Sequence, residues 1–294
     1  MSYLEHLITS PQRIVPHHTL SRIAWGIAQN KNKLLKTLLI HLFLLRYKVD
    51  LDEADRSHLS DYESFNDFFT RALRPGARPI QEATSALVCP ADGVISQLGK
   101  TENNRLVQAK GRYYSLNALL AGDDANSQRF NNGSFATIYL APQDYHRVHA
   151  PITGTITQIR YVPGRLFSVN DRTARCVDQL FARNERLILE ICSESGRVIV
   201  ILVGAFLVSS MELTCCDVRA AILGAGRPTE PYFIEPNAAN PVIEQGMELG
   251  RFNMGSTVII LVEPETLSWR PMLAQGSRVE VGQTLGTFDR SVLV

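Results

Sequence analysis

Gly250-Arg-Phe-Asn-Met-Gly-Ser-Thr-Val-Ile-Ile-Leu-Val262 is the stretch on which the fold turns. Gly255-Ser256 reads as a turn, and Thr257–Val262 is a β-branched and aliphatic run that it feeds, the pattern of a strand. Comparable runs recur upstream and downstream, at residues 137–140, 155–162, 187–192, 198–203 and 278–288, with turn residues between them. From Val88 onward the chain is therefore β-rich. Ahead of that point the texture differs. Residues 17–48 read as helical and a second helical stretch covers 61–73, ended by Arg74-Pro75-Gly76. The fold class expected is α+β, with an N-terminal amphipathic helical cap over residues 1–85 on a β-rich body over 86–294.

A weak internal echo refines the body. Pro90-Ala-Asp-Gly-Val-Ile95 and Pro151-Ile-Thr-Gly-Thr-Ile156 share the form Pro-x-x-Gly-x-Ile, a turn feeding a strand. With the late Val281-Gly-Gln-Thr-Leu-Gly-Thr-Phe288, this is similar to the hammerhead, or barrel-sandwich, of biotinyl and lipoyl carrier domains. Such a carrier needs a modifiable lysine at a hairpin tip, and no lysine follows Lys110.

The 294 residues are 45% hydrophobic and 20% charged, the balance of a folded protein and not of a disordered or collagen-like one. The net charge of +1 hides an asymmetry. Residues 1–48 hold seven basic residues against Glu5, while the remainder is acidic by five charges. A basic end on an acidic body suits an anionic surface. Within it, Asn30, Lys33, Thr37 and His41 share one helical stripe, opposite a greasy face built from Leu34, Leu35, Leu38, Leu39, Leu42 and Leu45, with Phe43 and Leu44 adding to it. That pattern fits a core helix or an interfacial helix lying on anionic lipid, with Lys31, Lys33 and Lys36 as its membrane-binding cations. No signal peptide is expected, and no transmembrane helix, because the Leu34–Leu45 stretch is short and interrupted. The five cysteines show no Cys-x-x-Cys and no paired spacing, which points to free thiols in a reducing compartment.

Three clusters carry chemistry. Pro90-Ala-Asp92-Gly93 holds an acid at a turn. Asp144-Tyr-His146-Arg-Val-His149 holds two of the seven histidines three apart; it invites a metal reading but has no further ligand motif, so no metal is expected. Gly255–Ser256 joins a residue without a side chain to a nucleophile. Asp92, His149 and Ser256 are the residue types of an orienter, a base and a nucleophile. A hydrolase using Ser256 intact is the competing enzyme reading, although Gly-x-Ser-x-Gly is absent at Ser256.

Taken together, these clusters resemble those of the bacterial phosphatidylserine decarboxylases, pyruvoyl enzymes made as self-processing precursors. The resemblance spans nearly the whole chain. It includes Phe65-Asn-Asp-Phe-Phe-Thr-Arg-Ala-Leu-Arg-Pro-Gly76, Pro90–Gly93, Tyr145–His149, Tyr161-Val-Pro-Gly164, Leu166-Phe-Ser-Val-Asn170, Phe181-Ala-Arg-Asn-Glu-Arg186 and Gly250-Arg-Phe252. The family's cleavage motif is Leu-Gly-Ser-Thr, and Met254 here replaces the leucine.

The resemblance implies autocatalytic serinolysis at Gly255–Ser256, with Asp92, His149 and Ser256 as the self-cleavage triad. The products are fragments 1–255 and 256–294. It further implies conversion of phosphatidylserine to phosphatidylethanolamine and CO₂ through a Schiff base with a pyruvoyl group derived from Ser256, with His146 assisting decarboxylation. Neither a metal nor pyridoxal phosphate is expected; no lysine lies in the His149 or Ser256 clusters. The partners implied are the lipid substrate and an anionic membrane surface, not nucleic acid. The expected location is peripheral, on the cytoplasmic face of the inner membrane. Monomer and homodimer both remain open.

Overall fold

The structure, a computed structural model, describes residues 17–81, 85–109, 111–206, 210–239, 241–253 and 256–289. Helices come first: α1 (His17–Ala28), α2 (Lys33–Arg46) and the short α3 (Phe65–Phe69). The strands begin with β1 (Ala86–Val88), β2 (Gly93–Lys100), β3 (Arg105–Ala109) and β4 (Arg112–Ser115). Short helices α4 (Leu116–Leu119) and α5 (Asp124–Arg129) lead to β5 (Ser134–Leu140), β6 (Arg147–His149) and β7 (Gly154–Val162). After α6 (Asp171–Cys176) and α7 (Leu180–Arg183) come β8 (Arg186–Ser193), β9 (Gly196–Gly204) and β10 (Ser210–Leu213). Helix α8 (Val218–Gly224) precedes β11 (Tyr232–Phe233), β12 (Val242–Ile243), β13 (Glu248–Asn253) and β14 (Ser256–Val262). The last strands are β15 (Leu267–Trp269), β16 (Arg278–Val279) and β17 (Thr284–Phe288).

Strand β14 is the axis of the body. It is buried along its whole length, between β9 on one side and β5 on the other, antiparallel to both. These three belong to the large sheet, in the order β11-β7-β8-β9-β14-β5-β2-β16, with β12 also on β7. Because side chains alternate across a strand, β14 feeds two cores. Val258, Ile260 and Val262 join one core with Leu187, Leu202, Met211, Phe252 and Leu285. Ile259 and Leu261 join the other with Phe135, Phe167, Phe181 and Val203. Each fully buried aliphatic side chain of this kind contributes about 1.5–3 kcal/mol.

Two smaller sheets, β10-β13-β6 and β1-β17-β15, contribute side chains to the first core. The segments that echo each other in sequence also meet in space. Gly93 pairs with Val279, Val88 pairs with Thr284, and the Val88 amide donates to the Pro151 carbonyl at 3.0 Å. All described sheets are open.

The helical segment has its own small core of Ile40, Tyr62 and Phe68, with Phe43, Leu44 and Phe65 against it. Asn32 caps α2 by accepting from the Leu34 and Leu35 amides, and Ser64 caps α3 by accepting from Asp67. The inward face of α2 is Lys36 and Ile40 with Phe43 and Leu44, so only that edge of the expected apolar face turns inward. Leu34 and Leu45 are 83% and 85% exposed, with Leu38 and Leu42 between them also exposed. Helix α1 adds exposed Leu20, Ile23 and Ile27. None of the described helices is long and apolar enough to cross a membrane.

One expected membrane contact needs correcting. Lys36 is buried, and its ammonium donates to the carbonyls of Ser60 at 3.1 Å and Tyr62 at 2.5 Å. Its charge is committed inside the cap and does not face outward. Lys31 pairs with Glu63 at the surface, and Lys33 is exposed.

Candidate active site

Ser256 opens β14, where it pairs with Gly204 of β9 and Leu140 of β5. Its side chain is buried, and its Oγ has no hydrogen-bond partner among the described residues. An orphaned buried hydroxyl is costly unless chemistry uses it. Gly255 lies outside the described residues. Asn253, the last residue of β13, is locked on the near side of the pair. Its Nδ2 donates to Ser210 Oγ at 2.7 Å and Glu212 Oε1 at 2.9 Å, and its Oδ1 accepts from Asn66 Nδ2 at 3.0 Å. Asn66 belongs to α3, so the cap grips the strand that leads into the serine.

The two histidines stand on and just before β6, which pairs with β13. His149 pairs with Glu248, whereas the His146 carbonyl accepts the Phe252 amide at 3.0 Å. Along the strand, register therefore sets His146 closer than His149 to the end that runs into Ser256.

His149 Nδ1 lies 2.8 Å from the Gly246 carbonyl, and its Nε2 lies 3.0 Å from the Tyr145 hydroxyl. A carbonyl only accepts, so Nδ1 carries the proton and Nε2 presents its lone pair, to which Tyr145 donates. Burial holds the imidazole below its usual pKa, which keeps it neutral at neutral pH with the Nε2 lone pair unprotonated. Gly246 has φ +82°, and a Cβ there would come within 2.5 Å of Ile80, so the turn that delivers its carbonyl requires glycine.

Asp92 sits at the turn before β2, and the Pro90 carbonyl of the same turn accepts the His149 amide at 2.8 Å. Its carboxylate is turned to other partners. Arg78 approaches it with Nε and Nη2, and the Val281 amide donates to it at 2.8 Å. Arg78 also binds Glu53 with both terminal nitrogens. The expected orientation of His149 by Asp92 is thus replaced here by Gly246 and Tyr145, and Asp92 is linked to the histidine through its turn backbone.

His146 is fully buried. Nδ1 donates to the Asp144 carbonyl at 2.8 Å, the ring packs on Phe69 with centroids 4.2 Å apart, and Nε2 has no partner among the described residues. Burial, with Arg71 adding to it, pushes its pKa down to about 3. Arg71 is itself buried. Its Nη2 donates to the Gln143 carbonyl at 3.0 Å, while Nε and Nη1 have no partner among the described residues.

A cavity of about 670 Å³ opens beside this site. Its walls include Leu166, Glu185 and Met211, the three residues nearest to where a side chain on Gly204 would stand. Since Gly204 is the ladder partner of Ser256, the cavity reaches the row of the serine. Trp25 of α1 and Ile222 of α8 add apolar surface, and Arg22, Arg219 and Arg227 add positive charge. Among the described residues no cluster of three His, Cys, Asp or Glu side chains could hold a metal ion.

Sequence reasoning picked out Asp92, His146, His149 and Ser256 but passed over Tyr145, Gly246, Arg78 and Arg71 as individual participants. Tyr145, Arg71 and Glu185 lie inside the motifs quoted above, which was the available signal. Nothing in the linear order joins Gly246 to His149.

The phosphatidylserine decarboxylase family model matches residues 65–287, and a second, described as PSD, matches residues 7–48. A phosphatidylserine decarboxylase proenzyme of Pseudomonas putida is 47% identical over 275 residues, 93% of this chain and 95% of the relative. Proenzymes of the same description from Ectopseudomonas mendocina and Pseudomonas fluorescens are 46% and 44% identical over 283 residues. Each alignment covers 96% of this chain, and 98% and 97% of the respective relative.

Proposed function

The chain belongs to the phosphatidylserine decarboxylase family and is a carboxy-lyase; on that premise we propose that it cleaves itself at Gly255–Ser256 and decarboxylates phosphatidylserine at the new terminus. The observation that carries this reading is the buried, unpartnered Ser256 hydroxyl at the head of the central strand, beside a cavity with apolar and cationic walls.

In self-cleavage, His149 Nε2 takes the proton of Ser256 Oγ as the oxygen attacks the Gly255 carbonyl, turning the amide into an ester. Loss of the serine α-proton expels the Gly255 carboxylate and leaves a dehydroalanine on residue 256. Water then replaces its nitrogen, releasing ammonia and leaving a pyruvoyl group. Residues 1–255 and 256–294 become the two subunits. What supports the role of His149 is its neutral Nδ1-protonated tautomer. To act, it exchanges the Tyr145 hydroxyl for the serine. Asp92 supports the turn that anchors His149.

The residues present fit such a group, because the buried serine hydroxyl is engaged by no partner among the described residues. A pyruvoyl group would supply a carbonyl that takes up the substrate amine and accepts the electron pair left when CO₂ departs. His146, neutral and with Nε2 unengaged, is suited to the substrate carboxylate or its proton traffic. Arg22, Arg219 and Arg227 suit a phosphodiester, and Trp25, Ile222 and Leu223 suit the acyl stems.

A two-chain lipid stays in its bilayer, so the enzyme must meet it there. The exposed leucine ridge of α2 and the exposed Leu20, Ile23 and Ile27 of α1, a helix whose His18, Arg22 and Trp25 wall the cavity, support docking on an anionic membrane. Five free thiols support the cytoplasmic side of the inner membrane.

Phosphatidylserine in mixed vesicles is the test. Stoichiometric phosphatidylethanolamine and CO₂, abolished by borohydride and by Ser256→Ala, are expected. A serine phospholipid hydrolysed without CO₂ release would overturn the reading in favour of an intact serine hydrolase.

A further inference from the structure

Three segments of the chain pass between the large sheet and the small sheet β10-β13-β6 at one level. Leu140, Ser256 and Gly204 form one row at the ends of β5, β14 and β9. Beyond that row β5 leads to β6, β9 leads to β10, and β13 arrives at β14. The crossing from β13 to β14 is the shortest, because only Met254 and Gly255 stand between Asn253 and Ser256. The Gly255–Ser256 bond therefore lies where the chain changes sheets. Its downstream end is fixed by two ladders, through Gly204 and Leu140. Its upstream end is fixed by the pairing of Asn253 with Ser210 and by the Asn253 side chain.

That side chain is fully buried, and its neighbours set its orientation. The Glu212 carboxylate only accepts, so Asn253 Nδ2 faces it at 2.9 Å, with Ser210 Oγ at 2.7 Å. Oδ1 is left to accept, and Asn66 Nδ2 supplies the donor at 3.0 Å. Asn66 is buried too, and among the described residues its side chain makes no other hydrogen bond; its Oδ1 has no partner. A buried amide satisfied on one side only costs stability, so the contact is a poor way to dock a helix. Helix α3 has other ties for that purpose. Ser64 caps it, and Arg147 of β6 donates from Nε to the Thr70 carbonyl at 3.0 Å while its Nη1 binds Glu248.

We propose that Asn66 is a positioning residue for self-cleavage, acting through Asn253 to hold the upstream end of the scissile bond, and that it takes no part in decarboxylation. This rests on the cleavage proposed above. Attack by Ser256 Oγ on the preceding carbonyl needs both groups in one narrow geometry. Two fixed ends with only two residues between them restrict the directions that carbonyl can take. Once the bond is broken the upstream end is a free terminus, and the restraint has nothing left to aim. The cap thereby becomes a requirement for maturation: a precursor whose α3 has not docked lacks the donor.

The test compares full-length Asn66→Asp, Asn66→Ala and Ser64→Ala. Asn66→Asp keeps the shape but sets an acceptor against Asn253 Oδ1. Ser64→Ala removes the cap of α3 and leaves the asparagine pair in place, so it controls for loosening of the helix. Denaturing mass spectrometry follows fragment appearance with and without neutral hydroxylamine, which cuts the ester formed by the attack but not the amide. Both Asn66 variants should cleave on the order of 10²-fold more slowly, and hydroxylamine should not restore the rate. Those molecules that do cleave should decarboxylate phosphatidylserine with the wild-type kcat, and Ser64→Ala should cleave at the wild-type rate. Wild-type cleavage in the Asn66 variants overturns the proposal. So does equal slowing in Ser64→Ala, rapid hydroxylamine cleavage in an Asn66 variant, or a matching fall in kcat. If Asn66→Asp does not fold, Asn66→Ala carries the same test. A wild-type chain that stays uncut refutes the underlying reading, a separate outcome.

Discussion

Arg78 closes on the Asp92 carboxylate through three nitrogen–oxygen contacts of 2.6, 3.0 and 3.1 Å, and Asp92 does not hydrogen-bond His149. The same guanidinium holds Glu53, so one side chain ties the loop after the cap to the turn that anchors the base. Arg78→Ala leaves a carboxylate buried without its cation, which should cost about 3–5 kcal/mol. Chemical denaturation of the Ser256→Ala background checks this without interference from cleavage. Arg78→Lys should recover only part, because a single ammonium cannot bind both acids in forked geometry.

Gly246 offers a sharper probe of His149. Gly246→Ala places a methyl against Ile80 on a backbone with φ +82°. A loss of about 1–3 kcal/mol in stability is expected. Displacement of the carbonyl that fixes the imidazole should also slow self-cleavage, on the order of 10²-fold. Time courses of fragment appearance measure the second effect directly.

Acid should weaken the fold through its buried histidines. His146 has a folded pKa near 3, well below the unfolded value of 6.5. The unfolded chain therefore binds the proton first. Stability is complete above about pH 6.5 and falls toward pH 3, by about 1.4 kcal/mol per pH unit. Unfolding at several pH values, compared with His146→Phe, tests the slope. His149, held below the ordinary histidine pKa by burial, should let self-cleavage run unhindered above neutrality and slow in acid.

Vesicle binding should follow the leucines of α2 more than its lysines. Leu38→Gln with Leu42→Gln changes two exposed residues, so stability should shift by no more than about 0.5 kcal/mol per site. Affinity for anionic vesicles should fall by about tenfold or more. Lys33→Gln should weaken binding modestly and in a salt-dependent way. Lys36→Gln should instead destabilise the cap, since its ammonium serves two carbonyls there. Sedimentation with vesicles separates these effects.

Strand β14 was legible because its aliphatic run has no other stable use in a soluble fold, and the turn before it named the serine. Helix α2 was legible as a helix but not in orientation. A polar stripe and an apolar stripe do not say which one docks, and here a core of Ile40, Tyr62 and Phe68 drew Lys36 inward. Asp92 and His149 could be named from residue type, yet their partners could not. Gly246 lies 97 residues from His149 and Arg78 lies 14 from Asp92, distances that only tertiary structure closes.

The central claim is that this chain makes its own reactive carbonyl by breaking the Gly255–Ser256 bond. Denaturing mass spectrometry of the purified protein tests it most directly. Two chains are predicted, residues 1–255 and 256–294, the smaller blocked by a keto group at its N-terminus, and a single uncut chain in Ser256→Ala. A wild-type protein that decarboxylates phosphatidylserine as one intact chain of 294 residues would contradict the account.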